Sequence, residues 1–337
     1  MDRDGFSAYL KERDLSPEQV DASLAIVESF EAFLQKDDGT ASLEAATGDD
    51  VTAFSAEMID QEANTWDNYV TLIRYGRFIG SNTIYIAALE LIDGAEALGN
   101  LHSKLGEEIG EEARDEIFEG VEIPPLGTPN VDKPALTRTV MARLEASVDP
   151  ETCVRVLGSG LRHLEDDWYL DAKRKYEEAG GIDAYIEQKG TDFIAELEKH
   201  RDEGTLYFNQ TVNDDVIDYV RANPEILAGV REGNLLIEAK IPHQTIEYLA
   251  TADPAKKAYH YCHCPWAKES LKDGASRVSP TFCNCSAAFH KRAYEVIFGQ
   301  RLEAGGRGPG NGSRRRPVVP VRHPPSGRRD PERVGRP

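Results

Sequence analysis

Four of the five cysteines fall in one stretch of the sequence, from Tyr259 to Gly299. They form two Cys-x-Cys pairs, Cys262 with Cys264 and Cys283 with Cys285. A thiolate can serve as a ligand for zinc or an iron–sulfur cluster, and it is also the nucleophile of cysteine-dependent enzymes. The stretch therefore predicts a thiolate site that either binds a metal ion or carries out a nucleophilic attack.

Metal binding is the first interpretation of the two pairs. Tetrahedral zinc takes four Cys or His ligands with bonds of about 2.3 Å, so its sulfurs lie roughly 4 Å apart. Side chains two residues apart on a straight strand lie about 6.5 Å apart, so each pair has to bend before both sulfurs reach one ion. Nothing in the sequence selects for iron, which favours zinc over an iron–sulfur cluster. The candidate ligands are Cys262, Cys264, Cys283 and Cys285, with His260 and His263 as further candidates.

Nucleophilic catalysis is the second interpretation. Cys264 precedes Pro265, and proline favours the first position of a helix, while Cys285 precedes an amphipathic helical run. We expect a thiol at a helix N-terminus to have a lowered pKa, and the free N–H groups there can hold an oxyanion. Cys264 or Cys285 would then be the nucleophile, and His260 or His290 the base.

A third interpretation is that these cysteines are buried and inert. Free cysteine often packs as a small apolar residue. The fifth cysteine, Cys153, lies on an apolar helical pattern among Val154, Val156 and Leu157. We expect it to be a core residue.

The secondary structure around the two pairs determines which way the cysteine side chains point. Residues 256–264, KKAYHYCHC, are rich in aromatics, bounded by turn residues and followed by proline, which predicts an extended strand. On a strand, His260, Cys262 and Cys264 would share one face. A helix is expected after each pair, from about residue 265 to 272 and again from residue 286.

The N-terminal part, residues 1–119, has the periodicity of helices. Ser16-Pro17-Glu18-Gln19 has the form of a capping box, and apolar residues recur at intervals of three and four up to about Lys36. Further helical patterns follow from residues 49 and 64. This part therefore predicts a helical bundle.

The remaining sequence predicts a second domain of mixed structure. Residues 120–134 hold four prolines and two glycines and form a candidate linker. Residues 135–300 combine helical patterns with short strand patterns at 205–208 and 235–241. The predicted fold class is α+β and mainly α: an N-terminal helical bundle followed by a mixed α/β domain that carries the Cys-x-Cys pairs.

The charge of the chain is strongly uneven. Residues 301–337 hold ten Arg against three acidic residues, a charge of +7, so the first 300 residues carry −27 of the total of −20. An acidic body disfavours nucleic acid and anionic membranes as partners. No apolar run approaches the roughly 20 residues of a membrane span, and the N-terminus lacks the pattern of a secretory signal. We therefore expect a cytoplasmic protein with reduced thiols. The charge and composition do not indicate an oligomeric state.

The helical pattern of residues 8–92, which includes LSPEQVDASLAIVESFEAFLQ and TWDNYVTLIRYGRFIG, resembles the core-binding domain of tyrosine recombinases. The resemblance implies a SAM-like helical topology and an association with DNA. Residues 1–98 depart from that family in charge, with six Lys or Arg against twenty Asp or Glu. The Arg, His-x-x-Arg and Tyr set of the recombinase catalytic domain is also missing from the sequence, since Ala293 stands where the second Arg would be.

The region from Cys153 to Gly299 resembles a bacterial and archaeal family of unassigned activity. The resemblance rests on CHCPW at 262–266, FCNCS at 282–286 and EVIFGQ at 295–300. Distantly, such proteins look like vinyl-reductase-type and thiazoline-carboxylate-hydrolase-type domains, which implies a small-molecule ligand. The family pattern would continue into paired strands, whereas residues 301–337 here are rich in Arg, Pro and Gly. This tail is interpreted as a disordered arm or as the product of a shifted reading frame.

Three hypotheses of function follow. The first is a metal- or small-ligand-binding protein with a four-cysteine thiolate site. The second is a cysteine- or metal-dependent hydrolase that acts on a small molecule. The third is a DNA-associated protein that acts through its N-terminal helices.

Overall fold

The computed structural model describes residues 1–36, 42–162, 164–272 and 276–303, together with the backbone of 318–320. The chain is mainly helical, as predicted. The helices of the N-terminal half are α1 Arg3–Lys11, α2 Pro17–Leu34, α3 Gly48–Asp60, α4 Trp66–Phe78, α5 Asn82–Ile92, α6 Ala97–Ile109 and α7 Glu111–Phe118. Those that follow are α8 Lys133–Ser147, α9 Pro150–Leu157, α10 Leu170–Ala179, α11 Ile182–Glu203, α12 Asp214–Arg221, α13 Thr245–Ala250, α14 Pro254–Tyr261 and α15 Asn284–Phe298.

Short strands and 3-10 helices complete the described structure. The strands are β1 Val230–Glu232, β2 Leu235–Ile237 and β3 Val318–Pro320. They form one antiparallel sheet in the order β1-β2-β3. The 3-10 helices are Leu43–Ala45, Asp166–Tyr169, Lys268–Leu271 and Pro280–Cys283. Within the described residues, no helix combines the length and the apolar character needed to cross a membrane.

The start of helix α2 confirms the predicted capping box. The Ser16 hydroxyl accepts a hydrogen bond from the Gln19 backbone N–H, and the Gln19 side chain accepts one from the Ser16 N–H. Two of the otherwise unpaired N–H groups of the first turn are thereby satisfied. The helix then buries the predicted stripe, which includes Val20, Val27 and Phe30.

Two of the shorter predictions need correction. The strand predicted at 205–208 is a tight turn, in which Tyr207 and Gln210 exchange backbone hydrogen bonds. The strand predicted at 235–241 is shorter than expected, because β2 ends at Ile237 and only Ala239 makes a further bridge, to Ile226. The prediction for the tail falls largely on residues outside the described ranges.

The first hydrophobic core runs from Phe6 to Ile92 and contains side chains of α1 to α5. The proline-rich segment 120–134 packs against it. The Gly127 carbonyl accepts a hydrogen bond from the Ser55 hydroxyl at 2.9 Å. A Cβ at Gly127 would lie 1.7 Å from the Tyr69 hydroxyl, and the φ of +90° also favours glycine.

The second hydrophobic core joins α6 to α9 with the stretch that carries the cysteines. Its buried members include Leu101, Leu144, Trp266, Phe282 and Cys285. Trp266 is 2% exposed and donates a hydrogen bond from its indole N–H to the Gly94 carbonyl at 2.7 Å. The CHCPW segment is therefore fixed to the turn between α5 and α6, far away in the sequence.

Candidate functional site

The first cysteine pair follows a helix and not a strand. The predicted strand over 256–264 is wrong, because residues 254–261 form helix α14 and Cys262 comes directly after its last residue. The Asp253 carboxylate accepts hydrogen bonds from the N–H groups of Ala255 and Lys256, and Pro254 occupies the first helical position. This N-terminal cap outweighs the strand preference of the aromatic residues. His260 lies inside the helix, so the predicted common face with the cysteines is also wrong.

After Cys264 the chain forms a turn instead of the predicted α-helix. The Cys264 carbonyl accepts hydrogen bonds from the N–H groups of Ala267 at 3.1 Å and Lys268 at 2.8 Å. A short 3-10 helix, Lys268–Leu271, completes the segment. Pro265 and the turn change the direction of the chain directly after the first pair.

The second pair lies at the start of α15. Cys283 ends the 3-10 helix Pro280–Cys283, and Cys285 lies in the first turn of α15. The helix predicted after this pair is therefore confirmed, although it begins at Asn284 and not at residue 286.

The thiols of Cys262, Cys283 and Cys285 lie close enough to Cys264 to influence its ionisation. Cys262 and Cys285 are buried, and Cys264 and Cys283 are half-buried. Burial raises the pKa of Cys264 well above its usual value, and negative charge on the other three thiols raises it further. The two pairs, although separated in sequence, thus meet in one region of the fold.

The prediction of thiolates with a lowered pKa is wrong for this arrangement. Burial is the largest influence on the pKa of all four thiols, and it raises the pKa of Cys262. Together with the neighbouring charges, burial raises the pKa of Cys283 to about 12 and that of Cys285 to about 11. The loss of hydration outweighs the helix N-terminus beside Cys285. Without a bound cation, all four groups are neutral thiols at pH 7.

The donor chemistry suits zinc, but the side chains are not gathered around one point. Within the described residues, no group of three or more His, Cys, Asp or Glu side chains is arranged to hold a metal ion. The two candidate histidines also have other partners. His260 Nδ1 lies 2.8 Å from Gln244 Oε1, and His263 Nε2 lies 2.6 Å from the Ile241 carbonyl oxygen. Binding one ion would require the thiols to turn towards each other.

Basic side chains that the sequence analysis did not identify surround the thiols. Lys240, which is half-buried, lowers the pKa of Cys262, Cys283 and Cys285 through its positive charge. Arg162 acts in the same way on Cys285 and is itself paired with Asp93 at 2.6 Å. These charges favour thiolates against the effect of burial. Lys240 follows a short strand and Arg162 follows α9, so no local pattern in the sequence connects them with the cysteines.

His290 belongs to a second polar cluster, centred on Glu238. The Glu238 carboxylate is 3% exposed. It accepts hydrogen bonds from His290 Nδ1 at 2.6 Å, from the Tyr294 hydroxyl at 2.7 Å and from Lys189 Nζ at 3.0 Å. Burial alone would raise the pKa of Glu238, but these partners lower it to about 2. The carboxylate is therefore ionised, and the ammonium group of Lys189 is its counterion.

One ring nitrogen of His290 has no hydrogen-bond partner. The Nε2 atom is buried and unpaired, while Nδ1 is held by Glu238. Burial lowers the pKa of His290, so the ring is neutral at pH 7, donates from Nδ1 and has a lone pair on Nε2. Such a carboxylate-oriented imidazole can accept a proton or bind a metal ion. The sequence pointed to His290, but its partner Glu238 lies 52 residues away and was missed.

Comparison with models of known protein families, with curated proteins and with solved structures finds no match for this chain.

Proposed function

We propose that this protein binds a metal ion, zinc in preference to an iron–sulfur cluster, through the thiolates of Cys262, Cys264, Cys283 and Cys285. The observation that carries the proposal is that Cys262, Cys283 and Cys285 all lie close enough to Cys264 for their negative charge to raise its pKa. Several thiolates in one buried region repel each other, and a shared divalent cation removes that repulsion. The site belongs to a mixed α/β domain that follows an N-terminal helical bundle.

Two further features support this proposal. Lys240 and Arg162 provide positive charge next to the thiols, which compensates part of the negative charge of a zinc–thiolate centre. The first pair is followed by a turn and the second begins at the end of a 3-10 helix, so neither pair lies on a straight strand, where the side chains would be about 6.5 Å apart. Metal binding would be coupled to proton release, because the ligands must be deprotonated.

The test is the metal content of protein purified without oxygen, together with that of variants from each pair. Wild-type protein is expected to retain one zinc ion per chain, and Cys262→Ser and Cys283→Ser to lose it and to unfold at a lower temperature. Cys153→Ala is the matched control for zinc content, since this buried cysteine belongs to the same hydrophobic core as Cys285 but is not a proposed ligand. Metal-free wild-type protein, with unchanged folding in both serine variants, would remove the proposal.

Hydrolysis of a small molecule is a second candidate, favoured by the unpaired Nε2 of His290. With Nδ1 held by Glu238, the ring could take a proton from a water molecule as that water attacks a carbonyl carbon. Cys264 and Cys285 remain the predicted nucleophiles of the alternative, covalent route. Their raised pKa means that a base would have to remove the proton during attack.

Hydrolysis is tested with a panel of small activated esters and amides. His290→Gln should abolish any turnover, whereas His102→Gln, on α6 against Phe118, should leave it unchanged. Equal turnover in the two variants would exclude His290 as the base.

A further inference from the structure

A polar cavity of about 260 Å³ lies beside the cysteine region but outside the thiol cluster. It is lined by α5, by the turn at 206–211 and by residues 243–247. Its polar walls include Asn82, Glu90, Asn209, His243, Gln244 and Glu247. The His243 ring also packs edge-on against His263, with 4.9 Å between ring centroids, so the cavity is a direct neighbour of the first cysteine pair.

Three buried side chains form a hydrogen-bonded chain that ends at this cavity. Lys268 Nζ lies 2.7 Å from His243 Nδ1, and His243 Nε2 lies 2.6 Å from Asn209 Nδ2. All three residues are more than nine-tenths buried. The remaining amide atom of Asn209 has no hydrogen-bond partner.

The direction of these hydrogen bonds follows from the chemistry of the groups. The ammonium of Lys268 can only donate, so His243 Nδ1 accepts and the proton of the neutral ring is on Nε2. Nε2 then donates and needs an acceptor, which on Asn209 is the amide oxygen. The amide orientation that satisfies this chain therefore points the oxygen at His243 and leaves the NH₂ group, in the wall of the cavity, without a partner. Asn209 presents an unpaired, buried hydrogen-bond donor.

Among the other polar walls of the cavity, the Gln210 amide is already occupied, and Glu90 and Glu247 are acceptors. Both ends of the Gln210 amide are used, by the Thr245 N–H and by the Pro242 carbonyl. Glu90 Oε1 lies 3.9 Å from His243 Nε2, next to the Asn209 amide, and Glu247 lines the same cavity. A ligand therefore meets a donor from Asn209 and carboxylate acceptors close to it.

We propose that this cavity binds a small primary carboxamide. Its carbonyl oxygen would accept a hydrogen bond from the Asn209 NH₂ group, and its own NH₂ group would donate to Glu90. A carboxylic acid of the same shape would be rejected, because its negative charge faces Glu90 and Glu247. The proposal does not depend on metal binding by the cysteines, since none of the four thiols lines the cavity.

The experiment uses the full chain and two probes of the same shape, benzamide and benzoate, measured by ligand-detected NMR. Wild-type protein is expected to bind benzamide and to bind benzoate at least about tenfold more weakly, the effect of one or two lost polar contacts. Asn209→Leu, which keeps the size of the side chain, should weaken benzamide binding about tenfold.

A second variant keeps the test decisive if Asn209→Leu fails to fold. Glu90→Gln, at a half-exposed position, should reduce the preference for benzamide over benzoate, while Glu112→Gln, on the exposed face of α7, should leave it unchanged. The proposal is overturned if folded wild-type protein does not bind benzamide, if it binds benzoate equally well, or if Glu90→Gln keeps the full preference.

Discussion

At Cys285 two opposite effects act on one thiol. The N-terminus of α15 favours the thiolate, but this contribution is typically below about 1 kcal/mol. Burial disfavours the charge by a larger amount, and the pKa rises to about 11. Cysteine spacing alone could indicate a thiolate site, but it could not indicate burial, which depends on residues such as Trp266 and Leu101 that pack from other parts of the chain.

The lowered pKa of Glu238 predicts how the stability of the protein changes in acid. Its pKa in the folded chain, about 2, is lower than its ordinary value of 4.5. A lowered carboxyl pKa stabilises the folded state above pH 4.5, and this stabilisation is lost as the pH falls from 4.5 towards 2. The size of the effect is about 3 kcal/mol.

The variant Glu238→Gln should lose about 2 to 3 kcal/mol at pH 7, because His290, Tyr294 and the half-buried Lys189 lose an ionised hydrogen-bond acceptor. Its stability should also decrease less than that of wild type between pH 4.5 and pH 2. Urea unfolding at a series of pH values measures both effects. The exposed Glu232→Gln is the control. Parallel acid profiles for wild type and Glu238→Gln would contradict the assignment.

At the scale of elements, helices with a local N-cap were the most predictable part of the fold. The capping box of α2 lies within the four residues from Ser16 to Gln19, and the structure confirms that the helix begins there. The strand predicted over residues 256–264 is wrong because the cap at Asp253-Pro254 outweighs the strand preference of their aromatic residues. A strand also needs a partner strand, and the described structure provides none beside this segment. A cap needs only its own helix.

The Asp253 cap should therefore matter for the site as well as for α14. Asp253→Ala removes the acceptor for two backbone N–H groups, so the thermal midpoint should fall and zinc binding should weaken, because the end of α14 positions Cys262. Asp253→Asn retains an acceptor and should stay close to wild type. Differential scanning calorimetry with and without zinc compares the three proteins. Identical midpoints for the alanine and asparagine variants would show that the cap has no such role.

At the scale of the whole molecule, the site depends on contacts that no sequence pattern indicates. Trp266 bonds to Gly94 across 172 positions, and His290 bonds to Glu238 across 52. The helical class of the fold follows from local periodicity and could be predicted. The approach of Lys240 and Arg162 to the cysteines could not, because it results from the packing of separate elements.

The segment 120–134 offers a test of long-range packing. Gly127→Ala would place a methyl group against the Tyr69 hydroxyl and strain a backbone with φ of +90°, so it should cost about 2 to 4 kcal/mol. Gly180→Ala is the matched control, with φ of +75° and no atom within 4 Å, and it should cost roughly 1 kcal/mol. Urea unfolding measures the loss of stability in each of the two variants. Equal losses would mean that the segment does not pack against α3 and α4.

The most direct test of the central claim is to add zinc to metal-free protein. Native mass spectrometry measures how many zinc ions bind, and calorimetry in buffers of different ionisation enthalpy measures how many protons are released. Because burial keeps the four thiols protonated at pH 7, one bound zinc ion should release about one proton from each cysteine. Cys262→Ser should both weaken zinc binding and reduce the number of protons released. A folded wild-type chain that binds no zinc, or one that binds zinc without releasing protons, would contradict the four-thiolate site.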